Sequence, residues 1–351
     1  MFAGNLTDPS LRLNETSNVR WNSTSAPEEM TFLGMPAIVS SPRMSELLKT
    51  VRRAAQTSAT VLITGESGSG KEVVARAIHH YSPRQQRPWV DFSCAALPEH
   101  LVESELFGYE KGAFSGAEAL KPGLFELAQT GSLLLDEVGE LNERLQVKLL
   151  RVLDGAPYYR LGGTKKISVD ARIIAATNRD LNVAMTAGTF RTDLYHRLNQ
   201  IQIAVPPLRE RVEDIGPLAY FFLRQQNSAL QLSARALQAM FAYQWPGNVR
   251  ELRNAILKAS IQCRDEVIDL TDLPESVRTR LAVLPANASD ALEAGTLENM
   301  EKQLILQMMS ATNGNQKRVA GLLGISGRTL SRKLKLYGWE PAHAPARDFR
   351  S

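Results

Sequence analysis

Val61-Leu62-Ile63-Thr64-Gly65-Glu66-Ser67-Gly68-Ser69-Gly70-Lys71-Glu72 is the stretch on which the fold turns. Its first four residues are apolar or β-branched and read as a buried strand. Beyond it, Val73, Val74, Ala77 and Ile78 recur at helical spacing. Strand, glycine-rich turn and helix together form the context of a phosphate-binding loop. Gly65, Gly68 and Gly70 let backbone N–H groups converge on an anion without side-chain obstruction, and the helix N-terminus adds the positive end of its dipole. Lys71 is then expected to reach the outer phosphates of a nucleotide. The strict pattern has Ser or Thr after the lysine, to hold Mg²⁺, and this chain has Glu72 there. A glycine-rich turn that binds nothing is the alternative reading of the stretch alone.

Outward from the loop, a second strand is read at Trp89–Phe92 and a helix at Leu97–Phe107, with Pro98 and Glu99 in its first turn. Leu133-Leu134-Leu135-Asp136-Glu137 is an apolar strand ending in two carboxylates, the Walker B arrangement. Asp136 is expected to hold Mg²⁺ directly or through water, and Glu137 to polarise the attacking water for in-line phosphoryl transfer. A strand end running into an acidic helix start is the bland alternative. Ala171–Ala176 reads as a further buried strand, followed by Thr177-Asn178. Asn178 is suited to orienting water or sensing a γ-phosphate, and equally to capping a helix before Asp180. Ile201–Val205 is the last strand. Strands alternating with helices predict a parallel α/β sheet, with active residues at the C-terminal strand ends.

Several segments fall outside that core. Residues 1–33, rich in Asn, Ser and Thr, read as a loose tail. Gly112-Ala113-Phe114-Ser115-Gly116-Ala117 reads as an exposed loop between helical segments. Phe190-Arg191-Thr192-Asp193-Leu194-Tyr195-His196-Arg197 carries two arginines six apart. Asp214–Cys263 reads as helical throughout, a small helical domain. In it Ser233 caps one helix, Asn248 with Glu251 resembles a capping box for the next, and Arg250 lies in that helix's first turn. The predicted domains are therefore a tail over 1–33, an α/β core over 34–207, a helical lid over 208–278, a linker over 279–296, a helical module over 297–338 and a tail over 339–351.

The 351 residues carry a net charge of +4, with 44% hydrophobic and 22% charged residues, ordinary for a globular protein. No apolar run reaches the ~18 residues of a membrane span, so a cytoplasmic protein with no membrane partner is expected. Cys94 and Cys263 stand alone, without a zinc pattern. From Asn315 onward eight basic residues face two acidic ones, a balance of +6 that leaves −2 for the rest. There, a short helix, the turn Gly324-Ile325-Ser326 and a basic helix over Arg328–Tyr337 match helix-turn-helix geometry. Arg328, Thr329, Arg332 and Lys333 are the expected DNA contacts; a generic three-helix bundle is the alternative.

From about Ile38 to Tyr337 the chain resembles the bacterial enhancer-binding proteins, the AAA+ activators of sigma-54 RNA polymerase. Gly65–Glu72 resembles that family's Walker A, which itself has Glu after the Lys. Leu133–Leu141 resembles its Walker B, and Ala175–Leu181 its sensor I. Phe190–Asn199 is similar to its arginine-finger segment, which implies fingers at Arg191 and Arg197. Trp245–Leu252 is similar to sensor II, which implies a nucleotide-sensing Arg250. Gly112–Ala117 is similar to the surface loop, usually GAFTGA, that engages sigma-54. The C-terminal module resembles a Fis-type helix-turn-helix.

The resemblance implies an AAA+ P-loop ATPase core, an all-α lid and a DNA-binding module. It implies ATP and Mg²⁺ as cofactors, and ATP hydrolysis in a ring, hexameric in the family's pattern, that opens the sigma-54 polymerase closed complex from enhancer DNA. Ser115 stands where the family usually has Thr. Ser93 stands where it usually has an Asn that pairs with the Walker B Glu. With about 35 residues before the ATPase, no receiver domain is expected there, so control falls to a separate protein, to expression level or to the tail. A DNA-binding regulator with a ligand-sensing core, and a ring ATPase of replication or repair, are the competing classes.

Overall fold

The computed structural model describes residues 27–282 except 228, together with 309, 316, 319 and 327–336. It divides into two units, residues 1–280 and 281–351.

The first unit opens with a hairpin, β1 (Glu28–Phe32) against β2 (Met35–Val39), where the sequence suggested a loose tail up to residue 33. Its turn lacks an Asn-Gly signal, yet Leu33 and Gly34 both adopt positive φ, as a tight hairpin turn requires. Burial of Phe32 in the core ties this hairpin down. Then follow α1 (Pro42–Ala55), β3 (Val61–Thr64), α2 (Lys71–His80), β4 (Trp89–Ser93) and α3 (Glu99–Phe107). A second hairpin, β5 (Gly108–Tyr109) with β6 (Lys121–Pro122), precedes α4 (Leu124–Leu127) and β7 (Ser132–Asp136). After α5 (Glu143–Leu153), a third hairpin pairs β8 (Tyr158–Tyr159) with β9 (Lys166–Ile167). The α/β body ends with β10 (Arg172–Thr177), α6 (Leu181–Thr186), α7 (Thr192–Leu198) and β11 (Ile201–Ala204).

Five strands form one parallel sheet in the order β11-β3-β10-β7-β4. Both faces are covered. Leu133 and Leu135 pack with Phe107 and Phe125 on one side, while Leu134 packs with Ile63, Ile78 and Ile174 on the other. A strand buried on both faces reads as a continuous apolar run, which is why Leu133-Leu134-Leu135 shows no alternation. All strand ends face the same way, so the turns after β3, β7 and β10 converge on one edge.

The lid comprises α8 (Ile215–Gln226), α9 (Ala234–Ala242), α10 (Asn248–Gln262) and α11 (Glu275–Ala282). Ser233 caps α9, its hydroxyl accepting from the Ala236 amide at 3.0 Å. The region is not helical throughout. β12 (Gln231–Leu232) and β13 (Val267–Ile268) form a short parallel ladder that ties the start of α9 to the end of α10. Two-residue strands carry no usable periodicity, so the sequence does not announce them.

In the second unit, α12 (Gly327–Leu336) buries Leu330 and Leu334 and exposes Arg328 and Arg332, with Lys333 between these extremes. Thr329 lies on the same helix. The linker expected over 279–296 begins later, because α11 continues through Ala282; the remainder of that linker, residues 1–26 of the expected tail, the expected tail over 339–351 and most of the two preceding helices lie outside the described residues.

Candidate active site

The phosphate loop joins β3 to α2 as the sequence predicts. Gly68 and Gly70 have φ of +73° and +103°, the left-handed region that glycine enters without steric cost. At Gly68 a side chain has no room: a Cβ would stand 2.5 Å from the Gly247 oxygen. Lys71 is buried at the start of α2, where its ammonium donates to the Gly65 and Glu66 carbonyls at 3.0 and 3.4 Å. It also lies 3.6 Å from the Glu137 carboxylate. The Ser69 hydroxyl is buried without a hydrogen-bond partner among the described residues. Glu72, in the first turn of α2, accepts from Arg76 at 3.0 and 2.8 Å.

At the end of β7, Asp136 is half-buried, and burial, followed by the neighbouring Glu137 charge, pushes its pKa up; Lys71 opposes the shift. Glu137 adopts φ +53°, a left-handed conformation that a non-glycine residue pays for and that recurs at functional positions. This turn lifts its carboxylate toward Lys71 and lets it accept the Asn178 amide at 3.0 Å. Asn178 is not the cap of α6. That role belongs to Asp180, whose carboxylate accepts from the Asn182 amide at 2.9 Å. Cys94, buried beside these carboxylates, has its thiol pushed up to about 12 by burial first.

Lys71, Asp136, Glu137 and the loop from Ser67 to Glu72 line one cavity of about 700 Å³. The lid closes one side with Arg250, whose guanidinium donates to the Ser67 hydroxyl at 2.9 Å, and with Arg253 one turn further on. The β1–β2 hairpin supplies the apolar end, from Leu33 to Val39, facing Leu218 and Phe221 of α8. Arg191 and Arg197 are not among the lining residues. Arg191 makes a two-point contact with Asp193 at 3.0 and 2.7 Å, and Arg197 pairs with Asp154 at 2.7 Å.

The capping box expected at Asn248 is displaced by one residue. Glu251 accepts from the Gly247 amide at 2.8 Å, because Gly247 is the N-cap. That frees the Asn248 side chain, which is buried against the phosphate loop. Arg209 and Arg211 also reach the loop, and Asp214 holds the Ser40 and Ser41 amides, each at 2.7 Å. None of these four was legible as a site residue. For Arg209 and Arg211 the only sequence signal is the charged run Arg209-Glu210-Arg211 shortly after Pro206-Pro207.

Residues 112–117 form the tip of the β5–β6 hairpin, where a plain loop between helical segments was expected. The Gly112 amide donates to the Ala117 carbonyl at 2.8 Å, and Gly112 and Gly116 take φ of +82° and +104°. Ala117 is buried, whereas Phe114 is 43% exposed and rests edge-on against Tyr109, ring centres 5.0 Å apart. The tip hairpin is stitched to the β8–β9 hairpin. Leu161 donates to the Gly108 carbonyl at 2.9 Å and accepts from Glu110 at 3.0 Å.

Three family models match in succession. Residues 37–204 match a sigma-54 interaction domain, 209–289 an AAA+ ATPase lid domain, and 296–337 the Fis family of bacterial regulatory proteins. The regulatory protein AtoC of Escherichia coli (strain K12) is 45% identical over 314 residues, covering 87% of this chain and 68% of that protein. The chain belongs to the AAA+ sigma-54-dependent transcriptional activators. Another member, the transcriptional regulatory protein FlbD of Caulobacter vibrioides, is 44% identical over 86% of this chain and 70% of its own length. Among solved structures, NtrX from Brucella abortus in complex with ATP has a TM-score of 0.64 at 36% identity, covering 86% of this chain and 69% of that one. The same protein has been solved with ADP. The three matches follow one another along this chain in the order sigma-54 interaction domain, AAA+ lid domain and Fis family. No described helix is long and apolar enough to cross a membrane.

Proposed function

We propose that this chain binds ATP in the cavity between phosphate loop and lid and hydrolyses it within a ring. The ring then opens the closed promoter complex of sigma-54 polymerase from enhancer-bound DNA. The convergence of Lys71, Asp136, Glu137 and the lid's Arg250 on one cavity carries this reading. It is supported by an exposed aromatic loop in the same chain.

The donor set suits a nucleotide phosphate tail with Mg²⁺. Asp136 is half-buried between a second carboxylate and one ammonium, so its surroundings are short of positive charge. Asp136 would hold the ion, which would supply charge neutralisation at the phosphates. Lys71 leaves its loop carbonyls to pair with the outer phosphates. Glu137 takes up the attacking water by hydrogen bond, and its link to the Asn178 amide keeps the carboxylate aimed. Arg250 contacts the phosphate tail from the lid. Arg191 and Arg197 complete the site of a neighbouring copy, where they neutralise developing charge. Turnover shifts the β5–β6 hairpin, presenting Phe114 and Ser115 to sigma-54. Arg328, Thr329, Arg332 and Lys333 contact DNA.

Transcription in vitro from a sigma-54 promoter, with purified polymerase and ATP, tests this. Open complexes should require the protein and hydrolysable ATP together. Activation without ATP would overturn the reading.

A further inference from the structure

Asn248 is fully buried at the start of α10, with φ +51°. Its side chain reaches mainly into other segments, with one long contact inside its own turn, where Nδ2 donates to the Pro246 carbonyl at 3.5 Å. Its Oδ1 accepts from the Leu208 amide at 2.7 Å. Its Nδ2 donates to the Glu66 carboxylate at 3.0 Å and to the Ser67 carbonyl at 3.1 Å. The next residue continues the pattern, since the Val249 amide donates to the Gly68 carbonyl at 3.0 Å. Arg211 donates to the carbonyl after that, Ser69. Three successive loop carbonyls are thus held by the lid turn and the segment leading to it. Arg209 adds a two-point grip on Glu66 at 2.8 and 2.6 Å.

A trans peptide holds its C=O and N–H on opposite sides. Drawing the Ser67 and Ser69 carbonyls toward Asn248 and Arg211 therefore turns the Gly68 and Gly70 N–H groups away from those two side chains, free to meet an anion. The Ser69 amide is used inside the loop, donating to the Glu66 carbonyl at 3.2 Å. The lid turn thus sets which loop donors are free.

We propose that Asn248 is a positioning residue: its amide couples the lid to the phosphate loop and holds the loop in its anion-accepting shape. This rests on the nucleotide reading above and adds a residue that does not touch the nucleotide. A purely conformational role is the competing account, because Asn tolerates positive φ better than most residues. Asn248→Gly separates the two, since glycine keeps the backbone freedom and removes the amide.

The probe is a fluorescent ADP analogue, titrated first into the wild-type chain. Absence of binding there would remove the nucleotide reading and this inference with it. Given wild-type binding, Asn248→Gly should weaken affinity tenfold or more. The rate at saturating ATP should fall only a few-fold, because bound phosphates can order the loop at the expense of affinity. Asn248→Asp should be worse, as it sets a carboxylate against Glu66 and the Ser67 carbonyl. Adding Glu66→Gln to Asn248→Asp restores a donor–acceptor pair with the roles exchanged, and should recover part of the loss. Wild-type affinity in Asn248→Gly, or no recovery in the double variant, overturns the proposal. Should Asn248→Gly fail to fold, Glu66→Ala alone decides, because that side chain is half-exposed and alanine leaves no acceptor for the Asn248 amide. A several-fold loss of affinity supports the coupling, and unchanged affinity defeats it.

Discussion

At Glu137 one backbone angle and one carboxylate do separate work. The positive φ turns the side chain out of the strand line, and the Asn178 amide fixes it there. Glu137→Gln keeps the shape and the hydrogen-bond acceptor but loses the charge that polarises water. ATP binding should persist while turnover falls by two or more orders of magnitude, within the range general-base loss produces. Lys71→Ala should abolish binding itself. Measuring the two quantities separately checks both, and normal turnover in Glu137→Gln would refute the assignment. Glu66 gives a second test through pH. The Arg209 hydrogen bond first, then that of Asn248, holds its carboxyl at about 2, below the ordinary 4.5. A depressed folded-state pKa stabilises above the unfolded value, and that contribution is lost as pH falls through the folded value. The melting-temperature difference between wild type and Glu66→Gln should therefore shrink between pH 4.5 and 2. A constant gap across that window would show that Glu66 charge plays no part in the clasp.

Among the elements, the β5–β6 hairpin holds a phenylalanine ring at an exposed tip. Phe114 leans on Tyr109 but contributes nothing to the buried core, so Phe114→Ala should leave melting temperature and ATPase near wild type. Activation of a sigma-54 promoter should disappear, because aromatic residues concentrate contact energy at interfaces. Parallel melting, turnover and transcription assays separate this from a loss of folding, and full activation by the variant would be incompatible with a contact role. Ser115→Thr should be mild, since the hydroxyl stays and the added methyl sits on an accessible tip. The sheet was legible because Val61–Thr64, Leu133–Asp136 and Arg172–Thr177 are unbroken apolar runs with polar ends, and the loop and carboxylates sit at those ends. The lid clasp was not. Asn248, Arg209 and Arg211 act across about 140 to 180 residues of sequence, and side chains paired over such distances leave no periodicity. The hairpin at residues 28–39 escaped for a different reason. Its turn relies on Leu33 at positive φ, a residue that does not advertise a turn.

For the whole molecule, the two arginines set a geometric demand. Both lie on or beside α7, away from the cavity of their own chain, and each is paired with an exposed acid. Exposed pairs contribute little, so a phosphate tail can take these arginines over. Specific ATPase activity should therefore rise with protein concentration. Mixing inactive Arg191→Ala with inactive Lys71→Ala should restore part of it, since some interfaces then join an intact loop to an intact arginine. No recovery in fully exchanged mixtures would count against action on a neighbour. The crowding at Gly68 bears on the whole molecule too. One methyl group there would meet the Gly247 oxygen and the Arg250 side chain, neither of which can retreat without carrying α10 along. Gly68→Ala is thus a wedge driven into a door jamb. It should prop the lid ajar while leaving the sheet intact, exposing the Val249 amide to rapid deuterium exchange as strand amides stay protected. Slow exchange at Val249 in that variant would mean that the jamb yields and the door still shuts. If the wedge holds, a single methyl makes a permanently open ATPase, and with it a way to ask which steps of promoter opening need the lid to close.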